Sequence, residues 1–180
     1  MNENGREWSV SMNSDREALE LAPELQTTRW FNTDQTLTLE RLRGRVVVLV
    51  AFQMLCPGCV ARTIPLAQRL DQTFDRDELA VIGLHTVFEH HEVMTPQALE
   101  VFLSEYRVTF PVGCDTPDPN GGTTPVSMST YGMQGTPTLV MIDSLGNRRA
   151  QHFEMHDELV LGAEIGLLLA ERRRFMHADD

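Results

Sequence analysis

The feature that most constrains this chain is an apolar run that stops at a pair of cysteines. Val46-Val47-Val48-Leu49-Val50-Ala51-Phe52 contains no polar side chain. It is far shorter than the ~20 residues that a membrane-spanning helix needs. Its β-branched composition, without polar alternation, reads as a central strand buried on both faces. The run leads into Cys56-Pro57-Gly58-Cys59. A helical pattern follows, with Val60, Ile64, Leu66, Ala67 and Leu70 on its apolar side. Two cysteines spaced by two residues therefore stand where a strand hands over to a helix N-terminus. Pro57 suits the first helical turn, where a backbone N–H would have no partner anyway. Free N–H groups and the positive end of the helix dipole favour thiolate over thiol at Cys56.

A second motif, Gly135-Thr136-Pro137-Thr138, precedes the apolar run Leu139-Val140-Met141-Ile142. Together the two motifs resemble the thioredoxin superfamily. Trp30-Phe31-Asn32 followed by Leu37 to Arg45, Ala80-Val81-Ile82-Gly83-Leu84-His85, and Phe110-Pro111-Val112 make the chain most similar to its redoxin branch. That branch holds thiol–disulfide oxidoreductases and alkyl-hydroperoxide-reductase/thiol-specific-antioxidant relatives. The resemblance covers residues 20 to 172, approximately. It implies a thioredoxin-like α/β fold, with a central mixed β-sheet flanked by helices on both faces. It also implies a cis Thr136–Pro137 bond, with Pro137 lying against the cysteines.

On this reading Cys56 is the attacking thiolate, with a pKa near ~7 against about 8.5 for a free cysteine. Cys59, one turn inside the helix, is the resolving thiol that closes the ring disulfide. Pro137 belongs to the catalytic set and exposes the backbone of Thr136 to an incoming peptide or thiol. Pro57 and Gly58 complete the substrate-binding positions. No cofactor and no metal is implied. A zinc site would need two more ligands, which Cys114 and a loop histidine could supply, but the second cysteine knuckle usual in such sites is absent.

Three positions depart from the family pattern. Thioredoxins commonly place a buried carboxylate six residues before the first cysteine, as proton acceptor for the resolving thiol; here Val50 stands there. Leu55 replaces the usual aromatic residue before the first cysteine, and Pro65 comes one residue later than the usual helix proline. A peroxiredoxin-like thiol peroxidase is the alternative reading. It wants a hydroxyl-bearing residue three positions before the cysteine, where this chain has Gln53. A redox-inactive binding module that kept the fold is a third.

The remaining chain is read in support. Residues 1–20 form an N-terminal extension that frays or makes a short helix from Ser14 through Leu21, 21–175 form the redoxin domain, and 176–180 form a tail. Thr36-Leu37-Thr38-Leu39 alternates and is expected as an edge strand or hairpin, giving the domain an N-terminal hairpin extension. His85 to Met94 is expected as a polar loop with His85, His90 and His91, one of them a candidate proton carrier. Cys114, at the end of an apolar strand, is expected as a buried free thiol outside the disulfide.

A net charge of −11 argues against nucleic acid or an anionic membrane surface as partner. With no secretory leader recognised at the N-terminus, the expected location is the cytoplasm, where a two-cysteine pair is more often redox-active than structural. The expected function is thiol–disulfide exchange in cell redox homeostasis. Protein or low-molecular-weight disulfides and thiols would be its substrates, and a separate reductant would restore the dithiol.

Overall fold

The structure is a computed structural model that describes residues 19–154 and 157–176. Most of the expected extension over 1–20 and the tail beyond 176 lie outside these residues. In chain order the elements are β1 (Thr27–Phe31), β2 (Val46–Phe52), a π-helical turn (Cys59–Thr63) running into α1 (Ile64–Thr73), β3 (Leu79–His85), α2 (Pro96–Glu105), β4 (Val112–Asp115), α3 (Val126–Thr130), β5 (Thr138–Ile142), β6 (Arg148–Phe153) and α4 (Glu158–Met176).

The strands make one six-stranded sheet in the order β1-β4-β3-β2-β5-β6. β2 lies inside it, parallel to β3 on one side and antiparallel to β5 on the other. All seven of its residues are buried, as an uninterrupted apolar run requires. Successive side chains point to opposite faces, so β2 feeds two cores. Val46, Val48, Val50 and Phe52 join Ile64 and Ala67 of α1, Leu99 and Leu103 of α2, and Leu161, Ile165 and Leu168 of α4. Val47, Leu49 and Ala51 meet Leu25, Leu39 and Leu42 of the N-terminal segment, Met128 of α3, and Tyr131 and Met133. Both faces are thus covered, one by three helices and the other by α3 and irregular chain.

The expected hairpin near the N-terminus is not formed. The strand lies earlier, at Thr27–Phe31, and pairs antiparallel with β4 at the sheet edge. Asn32 then takes a left-handed backbone (φ 57) and donates its side-chain amide to the carbonyls of Val108 and Phe110, which turns the chain off the sheet. Thr36 to Leu39 is not a strand: residues 36–38 are irregular, and the Glu24 carboxylate accepts the Leu39 N–H at 2.7 Å, where a series of turns begins. Leu21 forms an isolated antiparallel bridge with Asn147, so the helix expected over 14–21 does not extend to that residue.

Polar contacts pin α4 to the sheet. Arg149 of β6 pairs with Glu171 and Asp143, while Arg172 and Arg173 pair with Glu78, which precedes β3. Asp157 caps the helix, its carboxylate accepting from Leu159 and Val160 N–H. Beneath these contacts Ile165 is fully buried against the sheet. Ile165→Ala is expected to cost about 2–5 kcal/mol of unfolding free energy in urea denaturation. A loss under about 1 kcal/mol would remove Ile165 from the packed layer.

Candidate active site

β2 delivers the chain to the site, and the helix after it sets the geometry. The Val60 N–H donates to the Cys56 carbonyl at 3.1 Å, so the helix begins with Cys56 as its N-cap. Pro57 then occupies the first helical position. The Cys59 N–H donates to Cys56 Sγ at 3.2 Å. The sulfur of Cys56 thus takes the place that an oxygen fills in an ordinary Ser, Thr or Asp cap. A partial positive charge and a backbone donor are both directed at that sulfur.

Cys56 and Cys59 are joined by a disulfide, with Cα atoms 5.2 Å apart. Cys56 is half-buried and Cys59 fully buried, so an incoming partner meets Cys56 first. After the motif the helix widens for one turn, the Ile64 N–H reaching back five residues to the Cys59 carbonyl. Turns of this kind recur at functional sites.

The second motif closes over the first. The Thr136–Pro137 peptide is cis. The Thr136 carbonyl oxygen lies 3.5 Å from Cys56 Sγ. A Cβ placed on Gly58 would sit 3.5 Å from Pro137 Cδ, so the proline ring rests on the motif itself. On the far side of Pro137 its carbonyl accepts the Glu154 N–H at 2.9 Å. Gly135 is needed for space, since a Cβ there would meet the Phe153 ring at 2.9 Å. The exposed side chains of Leu55 and Phe153 belong to the two segments that frame the site. A cleft of about 440 Å³ opens between the start of α1 and the β6–α4 connection, lined in part by Arg62, Thr63, Leu139 and Glu154.

One buried polar residue here carries no role in the sequence reading beyond its missing hydroxyl. Gln53 is 1% exposed, and its amide nitrogen lies 3.5 Å from Thr136 Oγ1. A polar residue between an apolar strand and a redox motif is a readable signal, but its partner is distant in sequence.

His85 requires a correction. It ends β3 rather than starting a loop, pairs in register with Phe52, and is 3% exposed. Its ring lies 5.4 Å from that of Phe52. Burial pushes its pKa down to about 4, so near neutral pH the ring is uncharged. His90 and His91 stay on the exposed loop. His85, His91 and Cys114 line a separate cavity of about 270 Å³ beside the start of α2. Cys114 is a buried free thiol, held up at about 11 chiefly by loss of hydration. Among the described residues no group of three or more His, Cys, Asp or Glu is placed to hold a metal ion.

Val50 is fully buried in apolar surroundings. A buried carboxylate does occur on the same face, on α4 rather than β2. Glu164 is fully buried and bonded to His152 Nε2 at 2.7 Å. His152 stands opposite Leu139, and Leu139 opposite Val50.

A family model for AhpC/TSA proteins matches residues 19–147. The chain belongs to the AhpC/TSA family. Among solved structures, a thioredoxin-like superfamily protein is 57% identical, with a TM-score of 0.81, covering 83% of this chain and 96% of that one. A thiol-disulfide isomerase from Corynebacterium glutamicum is 45% identical, with a TM-score of 0.79, covering 82% and 96%. Among curated proteins, NHL repeat-containing protein 2 of Bos taurus is 30% identical over 95 residues, which are 51% of this chain and 13% of that protein. The chain thus matches a small part of that much longer relative. As an AhpC/TSA member with these neighbours, the protein has a thiol–disulfide-oxidoreductase-like fold and a Cys56–Cys59 disulfide.

The buried neutral His85 has a pH consequence. Its folded pKa of about 4 lies below the usual value of 6.5, so the unfolded chain binds more protons between those values. Stability is therefore fully present above pH 6.5 and falls as pH drops toward 4, by roughly 3 kcal/mol in total. Urea denaturation at several pH values should show that slope shrinking in His85→Gln. An unchanged slope would assign the acid sensitivity to other groups.

Proposed function

We propose that this protein is a thiol–disulfide oxidoreductase that exchanges its Cys56–Cys59 pair with protein or low-molecular-weight disulfides in cell redox homeostasis. The observation that carries the reading is the N-cap geometry at Cys56. The Cys59 N–H lies 3.2 Å from its sulfur, and the fully buried Cys59 is already bonded to it. In the reduced protein the same donor stabilises a Cys56 thiolate.

The thiolate attacks one sulfur of a substrate disulfide. One S–S bond forms to Cys56, the substrate bond breaks, and the departing sulfur leaves as a thiolate that takes up a proton. Cys59, deprotonated, then attacks the Cys56 sulfur. The Cys56–Cys59 bond forms, the mixed disulfide breaks, and the second substrate thiolate departs. Two electrons have passed from the dithiol to the substrate, and an external thiol reductant returns them. The Thr136 carbonyl and the cis Pro137 beside Cys56 support a docking role, with the backbone at 136 pairing with the substrate and Pro57 and Gly58 bounding the sulfur.

A second reading, thiol peroxidase, draws on the AhpC/TSA match. Peroxide cleavage puts negative charge on a departing oxygen and needs donors around it. The Thr136 carbonyl, 3.5 Å from Cys56 Sγ, offers an acceptor instead. The buried amide of Gln53 is directed to the Thr136 hydroxyl. Both weigh toward disulfide substrates.

The experiment compares the reduced protein against insulin, oxidised glutathione and hydrogen peroxide. Disulfide reduction is expected to be the faster reaction. Cys56→Ser should lower it by more than about 100-fold, and Cys59→Ser should accumulate the mixed disulfide on Cys56. Oxidation of Cys56 by peroxide orders of magnitude faster than by disulfides would replace this reading with the peroxidase one.

A further inference from the structure

We propose that Gln53 is a positioning residue that locks the Thr136–Pro137 segment against Cys56, so that the backbone at Thr136 is held ready for a peptide substrate. The inference rests on the thiol–disulfide reading above and assigns to it a side chain outside the two cysteine and proline motifs.

Three contacts close a ring around the reactive sulfur. The Cys56 N–H donates to the Gln53 carbonyl at 3.3 Å. The Gln53 side-chain nitrogen donates to Thr136 Oγ1 at 3.5 Å. The Thr136 carbonyl returns to Cys56 Sγ at 3.5 Å. Gln53 therefore holds the cysteine segment with its backbone and the proline segment with its side chain. These two segments lie about eighty positions apart in sequence and meet across β2 and β5. The backbone pairing of these strands, in register from Val47↔Ile142 to Ala51↔Thr138, ends just before the site. Beyond it, the Gln53 side chain is a polar link of the kind a substrate-docking segment needs.

Packing alone does not account for this residue. Gln53 is 1% exposed, and among the described residues its amide oxygen has no hydrogen-bond partner. A buried, half-satisfied amide destabilises a fold, and an apolar side chain of similar size would avoid that cost. A residue that weakens the core and contacts the docking segment points to a role in function. Gln53→Met keeps the volume and removes both amide groups. It is expected to melt at or above the wild-type temperature and still form the Cys56–Cys59 disulfide.

The test uses reduced full-length protein carrying Cys59→Ser, so that reaction stops at the mixed disulfide. Two probes are compared by stopped flow. The aryl disulfide 5,5′-dithiobis(2-nitrobenzoate) accepts any accessible thiolate, whereas a short peptide disulfide must also dock along the Thr136 backbone. Gln53→Met is expected to slow the peptide reaction about tenfold, through weaker binding, and the aryl reaction less than about twofold. Thr136→Val, which removes the hydroxyl acceptor, should reproduce that pattern, and the double variant should lose little more than either single one. An equal loss with both probes would mean that the amide acts on the thiolate, and no loss with either would mean that it only fills space. Each of those results overturns the proposal. A wild-type protein that takes the aryl disulfide but not the peptide overturns the docking part of the thiol–disulfide reading and this inference with it. If the wild type reacts with both, the Gln53 comparison stands alone.

Discussion

Everything in this molecule is arranged around the complete burial of β2. A strand with seven buried residues cannot stay in solvent on either face, so the chain must supply a layer above it and another below. Helices α1, α2 and α4 form one layer, and α3 with the segment around Leu25 to Leu42 forms the other. Neighbouring strands also take up the hydrogen-bonding groups of β2 on both sides. The end of such a strand is a rigid place from which to launch a reactive group. Cys56 stands four residues beyond it, at the first turn of a helix whose Cys59 N–H points back toward the sulfur.

The site is a junction of two chain segments rather than a local motif. The cysteine segment supplies the sulfur and the donor that favours its charge. The proline segment supplies a carbonyl at Thr136 that lies against the sulfur. The strand pairing of β2 with β5 brings them to the same end of the sheet. The close approach of Phe153 to Gly135 and the hydrogen bond from Glu154 to Pro137 hold the proline segment from behind. The late helix proline also finds a reason. Pro65 lies at the start of α1, just after the π-helical turn over Cys59–Thr63. A turn with one extra residue absorbs a one-residue displacement while keeping Cys59, Ile64 and Ala67 in the same core.

The sequence by itself determined the strand–helix junction, because burial on both faces demands an unbroken apolar run and a cap with proline at the first position marks a helix start. It also determined the pairing of Cys56 with Cys59 and the separation of Cys114, since the former are one turn apart and the latter ends another strand. Only the tertiary structure decided the rest. The alternation at Thr36 to Leu39 was no guide to strand formation, because the Glu24 carboxylate captures that backbone first. His85 changed from an exposed loop residue to a buried neutral ring because β3 runs one residue longer than its apolar run. Gln53 meets Thr136, and Glu164 meets His152, through contacts between elements far apart along the chain. Periodicity records which face of its own element a residue occupies. It carries no information about which side chain from another element will stand opposite, and that juxtaposition is what makes the site.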